Sequence, residues 1–252
     1  MSKLPTLHVF GSSTVFNFTE ESGIGDSKLS WPYLLANELG YSLNVYAKPA
    51  VCNSFIGRQI IQNLDNIQKD DMVIVLWGHW SRVMFGMDKD TMKSMDIESD
   101  SLLYPSHSND DDLVWVRSKG PPKKWISIPS LNNNYGRPYY DYYFKNYYFD
   151  QHRHLEDMEN ILLIKLLLEK NDINYMFTAH DTTFLNKNYS ESKKTLSMIT
   201  DANWIFPNNM GLIEISNMNE WHISKDDQHF SIDGHKQIAK LLENEIKNTI
   251  RL

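Results

Sequence analysis

The sequence predicts an α/β fold: a three-layer α/β/α sandwich around a central parallel sheet. Three observations carry this expectation. Leu7-His8-Val9-Phe10 is a short apolar run that stops at Gly11-Ser12-Ser13. Met72-Val73-Ile74-Val75-Leu76-Trp77 is apolar at every position and follows Asp70-Asp71 directly. Between the two lie a helix pattern, a strand pattern and a second helix pattern. A continuously apolar strand suits a parallel sheet covered on both faces, and strands alternating with helices over short connections imply right-handed parallel crossovers.

The elements follow in order. Trp31 to Leu39 reads as a helix, with Pro32 near its start and Gly40 at its C-terminal stop. Ser42 to Ala47 reads as a strand and Phe55 to Leu64 as a helix. From Gly86 to about Phe149 the chain turns polar, acidic and aromatic, with Asp110-Asp111-Asp112, Pro121-Pro122 and Asn132-Asn133-Asn134. We read this stretch, about 86–149, as an insertion or lid with little regular structure of its own. Asp150 to Lys170 resumes as a long helix and Ile173 to Phe177 as a strand. Ile232 to Ile250 is expected to form the last helix, because Ile238, Leu241, Leu242 and Ile246 recur at helical spacing. The whole chain, 1–252, is expected to be a single domain.

Composition narrows the functional classes. Lys and Arg number 25 against 32 Asp and Glu, a net charge of −7, which disfavours a nucleic-acid binder held by phosphate contacts. Between Gly86 and Asp112 eight acids face two lysines, so much of the excess is local. The one cysteine, Cys52, excludes an internal disulfide framework and a cysteine zinc cluster. The longest apolar run, Ile161 to Leu168, is broken by Lys165, whereas a membrane span needs roughly 20 residues. Residues 1–10 lack the long apolar core of a secretory signal. A cytoplasmic location is therefore expected, compatible with release on lysis or association with a particle. The sequence carries no signal for an oligomeric state.

Two segments carry candidate chemistry. Asp226 precedes His229 by three residues, just ahead of the last helix. A carboxylate so placed can hold one imidazole nitrogen and leave the other free as a general base; equally, both residues suit a solvated loop. Gly11-Ser12-Ser13 follows the first strand, where a turn can project a serine at the sheet's C-terminal edge. Such a serine is a nucleophile if a histidine reaches it, and otherwise an ordinary turn or helix-cap residue.

Taken together, four blocks in order resemble the SGNH (GDSL-like) hydrolase family, in the divergent form seen in viral and bacterial proteins. They are Val9-Phe10-Gly11-Ser12-Ser13-Thr14, then Ala47-Lys48-Pro49-Ala50-Val51-Cys52-Asn53, then Trp77-Gly78-His79-Trp80-Ser81-Arg82, and finally Asp226 to Ala239. The match spans residues 5 to 85 and about 200 to 250. The resemblance implies an SGNH/flavodoxin-like sandwich with an active site at the strands' C-terminal edge and the aromatic-rich insertion over it. It implies a serine hydrolase cleaving a carboxylic ester, either an O-acyl group on a carbohydrate or a small ester. Ser13 is then the nucleophile, His229 the base and later the acid, and Asp226 the orienting group. Asp227 is a possible replacement for Asp226.

The implied oxyanion donors are the backbone N–H groups of Ser13 and Ala50 and a side chain from the third block. There Ser81 stands where the family has Asn; His79, Asn53 or Arg82 are alternatives. Ser12 replaces the usual Asp, Ala50 the usual Gly, and Phe230 the usual Pro. No metal and no organic cofactor is implied, and the partner is a small-molecule or glycan ester. The departures motivate a rival reading, a catalytically weakened SGNH-like module that binds a glycan or a protein. His235 is expected to be structural or on the helix surface. His152 and His154, two apart on a helix, are not expected to share a metal, and Asp110 to Asp112 are expected to be a solvated turn. His180-Asp181 is expected in a loop. The Tyr/Trp-rich stretch from Trp115 to Tyr148 suits either a packed insertion or stacking on a sugar or acyl group.

Overall fold

A computed structural model describes residues 4–18, 25–48, 51–79, 83–88, 103–105, 113–118, 149–183, 185–186, 189–225 and 227–249, the strands between 83 and 118 by their backbone. The central sheet is parallel, with strand order β2-β1-β3-β7: β1 (Thr6–Gly11), β2 (Ser42–Ala47), β3 (Met72–Trp77) and β7 (Asn174–Ala179). Helices α1 (Trp31–Leu39), α2 (Asn53–Asn63), α3 (Asp150–Lys170) and α6 (Ile232–Thr249) cover its two faces, and the short helices α4 (Lys193–Ile199) and α5 (Leu212–Met218) complete them.

Side-chain alternation sorts the core into two halves. Phe10, Val73, Val75, Trp77 and Phe177 pack with Ile56 and Ile60 of α2 and with Met158, Ile161 and Ile164 of α3. Leu7, Val9, Ile74, Leu76 and Met176 pack on the other face with Leu35 of α1 and Ile238 and Leu242 of α6. Fully burying each such side chain stabilises the fold by about 1.5–3 kcal/mol. This is the three-layer sandwich that the sequence predicts. Gly40 ends α1 at φ 71°, where its N–H reaches the Ala36 and Asn37 carbonyls; a left-handed residue is how such a helix terminates.

Two expectations change. The 86–149 stretch carries more regular structure than expected: β4 (Val83–Asp88), β5 (Leu103–Pro105) and β6 (Leu113–Ser118) form an antiparallel sheet in the order β4-β6-β5. The apolar run Leu113-Val114-Trp115-Val116, overshadowed by the three preceding aspartates, was its sequence signal. Most of the tyrosine-rich run and Asp110 to Asp112 lie outside the described residues. Second, His229 stands on a strand rather than a loop: β8 (His222–Ser224) and β9 (Asp227–Phe230) form a hairpin before α6.

That hairpin is welded to α6. Ser231 donates its hydroxyl to the Trp221 carbonyl at 3.0 Å and accepts the Gly234 N–H at 3.1 Å, so it caps the helix. Gly234 lies so close that a Cβ there would stand 2.1 Å from the Trp221 carbonyl oxygen. Gly234→Ala should therefore destabilise the fold by roughly 1–3 kcal/mol. Urea unfolding would show this as a lower midpoint at unchanged slope; an unchanged midpoint would remove the weld.

Candidate active site

The site is assembled from the C-terminal ends of β1, β3 and β7, the start of α2, and the β8–β9 hairpin. At the end of β1 the chain must fold back at once. A Cβ on Gly11 would lie 2.6 Å from Val15 Cγ2 and 3.2 Å from Leu76 Cβ. The turn closes through Val15 N–H to the Ser12 carbonyl and Phe16 N–H to the Ser13 carbonyl, at 3.1 and 3.0 Å. Ser13 sits in this turn and is mostly buried.

The neighbours of Ser13 are anchored. The Ser12 and Thr14 hydroxyls both bond His180 Nε2, at 3.1 and 2.8 Å, and all three residues are buried. The Trp31 indole N–H donates to the Thr14 carbonyl at 3.1 Å. His180 does follow a strand as expected, yet its link to the serine turn was not foreseen. Its position directly after a buried parallel strand was the available signal.

His229 is half-buried on β9, which packs against the turn that carries Ser13. Its Nδ1 lies 2.6 Å from Asp227 Oδ1, which also accepts the His229 backbone N–H at 3.0 Å. A carboxylate on Nδ1 fixes the tautomer with Nδ1 protonated and leaves Nε2 as the basic nitrogen. The ring stacks on Phe18, with centroids 4.2 Å apart. Asp226 lies outside the described residues, so the carboxylate found on His229 is that of Asp227. Among the described residues no hydrogen bond joins Ser13 to His229. His235 is fully buried rather than on the helix surface, and its Nδ1 accepts the Trp31 N–H at 3.1 Å. Burial, aided by the nearby His229, pushes its imidazole down to about 4, so it is neutral.

Ala50, Ser81 and Arg82 lie outside the described residues. Asn53 is committed elsewhere: its Oδ1 accepts the Gly78 N–H at 2.8 Å, and its Nδ2 donates to Asp157 Oδ2 at 2.8 Å and to the Gly78 carbonyl at 3.3 Å. Its amide thus holds the loop after β3. His79 Nε2 lies 3.2 Å from Asp181 Oδ2, joining the ends of β3 and β7. His152 pairs with Glu156 while His154 is buried against the Ser192 hydroxyl at 2.8 Å, so the two histidines diverge. No group of three or more potential ligands suited to a metal occurs among the described residues. Cys52 is buried, 3.0 Å from the Ser54 hydroxyl.

Behind Asn53, Asp157 is completely buried and paired with Arg153. Burial pushes its carboxyl up to about 7, against the opposing pull of the Arg153 charge and the Asn53 amide. The native state then holds a proton that the unfolded chain releases near the ordinary value of 3.8, so this group's contribution to stability falls as pH rises from about 4 to about 7. His235 acts in the opposite sense, between about 4 and 6.5. Asp157→Asn leaves His235 in place, so the difference between variant and wild type isolates Asp157. Thermal melts should show the variant gaining on wild type as pH rises from 4 to 7; a pH-independent difference would mean that Asp157 titrates normally.

No protein-family model and no curated protein sequence matches the chain. Solved structures do. The psychrotrophic esterase EstA from Pseudoalteromonas sp. aligns over 98% of this chain and 99% of its own, at 10% identity and a TM-score of 0.52. The lipase/acylhydrolase from Enterococcus faecalis aligns over 98% and 97%, at 10% identity and a TM-score of 0.49. TesA aligns over 97% and 99%, at 9% identity and a TM-score of 0.49. The EstA alignment runs over nearly the full length of both proteins, and with the parallel sheet and its covering helices it shows that the chain shares the α/β fold of that esterase, consistent with the resemblance to SGNH hydrolases.

Proposed function

We propose that this chain is a serine esterase that cleaves a carboxylic ester through an acyl-enzyme on Ser13, with His229 as base and then acid and Asp227 as the orienting carboxylate. The observation that carries the reading is the Asp227–His229 pair on a strand packed against the serine turn. With Nδ1–H bonded to Asp227, Nε2 takes the Ser13 proton as Oγ attacks the ester carbonyl. The same nitrogen returns that proton to the leaving alcohol, and water then releases the acid by the reverse sequence. Catalytic hydrogen bonds in unliganded sites are commonly long and tighten on binding, so the open Ser13–His229 contact is compatible with this cycle.

The oxyanion donors in this proposal are the backbone N–H groups of Ser13 and Ala50, with Ser81 as the side-chain donor. Each such donor typically contributes about 2.7–4 kcal/mol to the transition state. The substrate class is a small or glycan O-acyl ester. Support comes from EstA, an esterase whose structure was solved inhibited by monoethylphosphonate. We further propose that 1–252 is one domain, with the 86–149 stretch as an insertion beside the site.

Wild type should hydrolyse p-nitrophenyl acetate and be labelled by a phosphonate ester at Ser13. Ser13→Ala and His229→Asn should lose turnover by at least about 10³-fold, and Asp227→Asn by about 10²–10⁴-fold, while Asp226→Asn stays within about threefold. Equal turnover and labelling in wild type and Ser13→Ala would remove Ser13 as nucleophile. A wild type inert to both reagents would favour the glycan- or protein-binding alternative.

A further inference from the structure

We propose that His180 is a positioning residue of the serine turn: one imidazole nitrogen, shared by the hydroxyls on either side of Ser13, sets how Ser13 presents its own hydroxyl. This rests on the hydrolase reading above and adds a residue to it.

The geometry is specific. Nε2 has either one proton or one lone pair, yet Ser12 Oγ and Thr14 Oγ1 both lie within bonding distance, at 3.1 and 2.8 Å. The nitrogen therefore ties residues 12 and 14 to one point, while Ser13 between them makes no bond to it. Ser12 is 0%, Thr14 3% and His180 1% exposed, so no substrate reaches this cluster and His180 acts only through the turn. His180 is itself fixed at both ends of its peptide. Its N–H bonds the Trp77 carbonyl and its carbonyl accepts the Ile213 N–H, each at 3.0 Å. A Cβ on Gly211 would stand 2.5 Å from the His180 carbonyl oxygen, so α5 starts against this same peptide.

Thr14 is thus held at two points: its hydroxyl by His180 and its carbonyl by Trp31 Nε1. A buried polar cluster that ties both hydroxyls to one nitrogen rigidifies the segment that it joins. Where the resembling family has Asp before the nucleophile, this chain has Ser12, and His180 is the partner that a hydroxyl at that position can use.

The test compares His180→Phe, His180→Gln and the double variant S12A/T14V. The readouts are the rate of Ser13 phosphonylation, kcat and KM for p-nitrophenyl acetate, and the thermal midpoint. His180→Phe keeps the bulk and removes the nitrogen. It should slow phosphonylation and kcat by about 10–100-fold with KM changed less than about threefold. His180→Gln, which can still bond a hydroxyl, should recover most of the rate. S12A/T14V should show a similar loss, and adding His180→Phe to it should cost at most a further twofold. Wild-type phosphonylation rates in folded His180→Phe or in S12A/T14V overturn the proposal. So does a His180→Phe effect that persists in full on the S12A/T14V background. If His180→Phe fails to fold, S12A/T14V decides the matter alone. Wild type that resists the phosphonate is a different result: it overturns the hydrolase reading itself.

Discussion

Burial of β1 and β3 on both faces is the constraint from which the rest of the structure follows. Both strands are interior, β1 between β2 and β3, and β3 between β1 and β7. Their side chains are buried at every position, and a polar group there is costly unless it is hydrogen-bonded. One polar cluster at these strands shows how that cost is reduced. At the N-terminal edge His8 Nε2 lies 3.1 Å from Asp71, which also accepts the Thr6 and Gln68 N–H groups at 2.7 and 2.8 Å. Burial alone would raise the Asp71 carboxyl, but these amides and His8 outweigh it and hold it below its ordinary value.

The candidate reactive groups stand where the strands stop. Each strand end there hands over to a short polar segment: Ser12 to Thr14 after β1, Gly78 and His79 after β3, His180 and Asp181 after β7. These segments are cross-bonded by side chains from different parts of the chain, Asn53 to Gly78, His79 to Asp181, and His180 to Ser12 and Thr14. The edge is thereby a stiff rim. A turn held in this way keeps its direction without help from a ligand, which is the condition for catalysis by preorganised groups.

What could be read in advance was whatever depends on local pattern. The continuous run Met72 to Trp77, the Trp31-Pro32 to Gly40 helix and the 21 residues of α3 were legible, because apolar period and end signals are written within each segment. The hairpin was not. Its strands have three and four residues, and Asp226-Asp227 has the composition of a loop. The helices α4 and α5, seven residues each, were equally silent. At the site, Ser13 and His229 stood out by motif. The pairing of His180 with Ser12 and Thr14 did not, because it joins residues far apart in sequence through the register of β1, β3 and β7. The engagement of Asn53 was hidden for the same reason: its partners Gly78 and Asp157 come from two other elements.

The weld between Trp221, Ser231 and Gly234 has a consequence for the order in which the protein is made. Synthesis proceeds from the N-terminus, and elements pack as they emerge. The serine turn, β2 and β3 can form early, but the hairpin bearing His229 is fastened to α6, the last helix described. A ribosome-bound chain that has not yet released α6 holds the serine without its histidine in place. On the proposed chemistry, a nascent chain is silent toward esters until α6 docks and seats the hairpin.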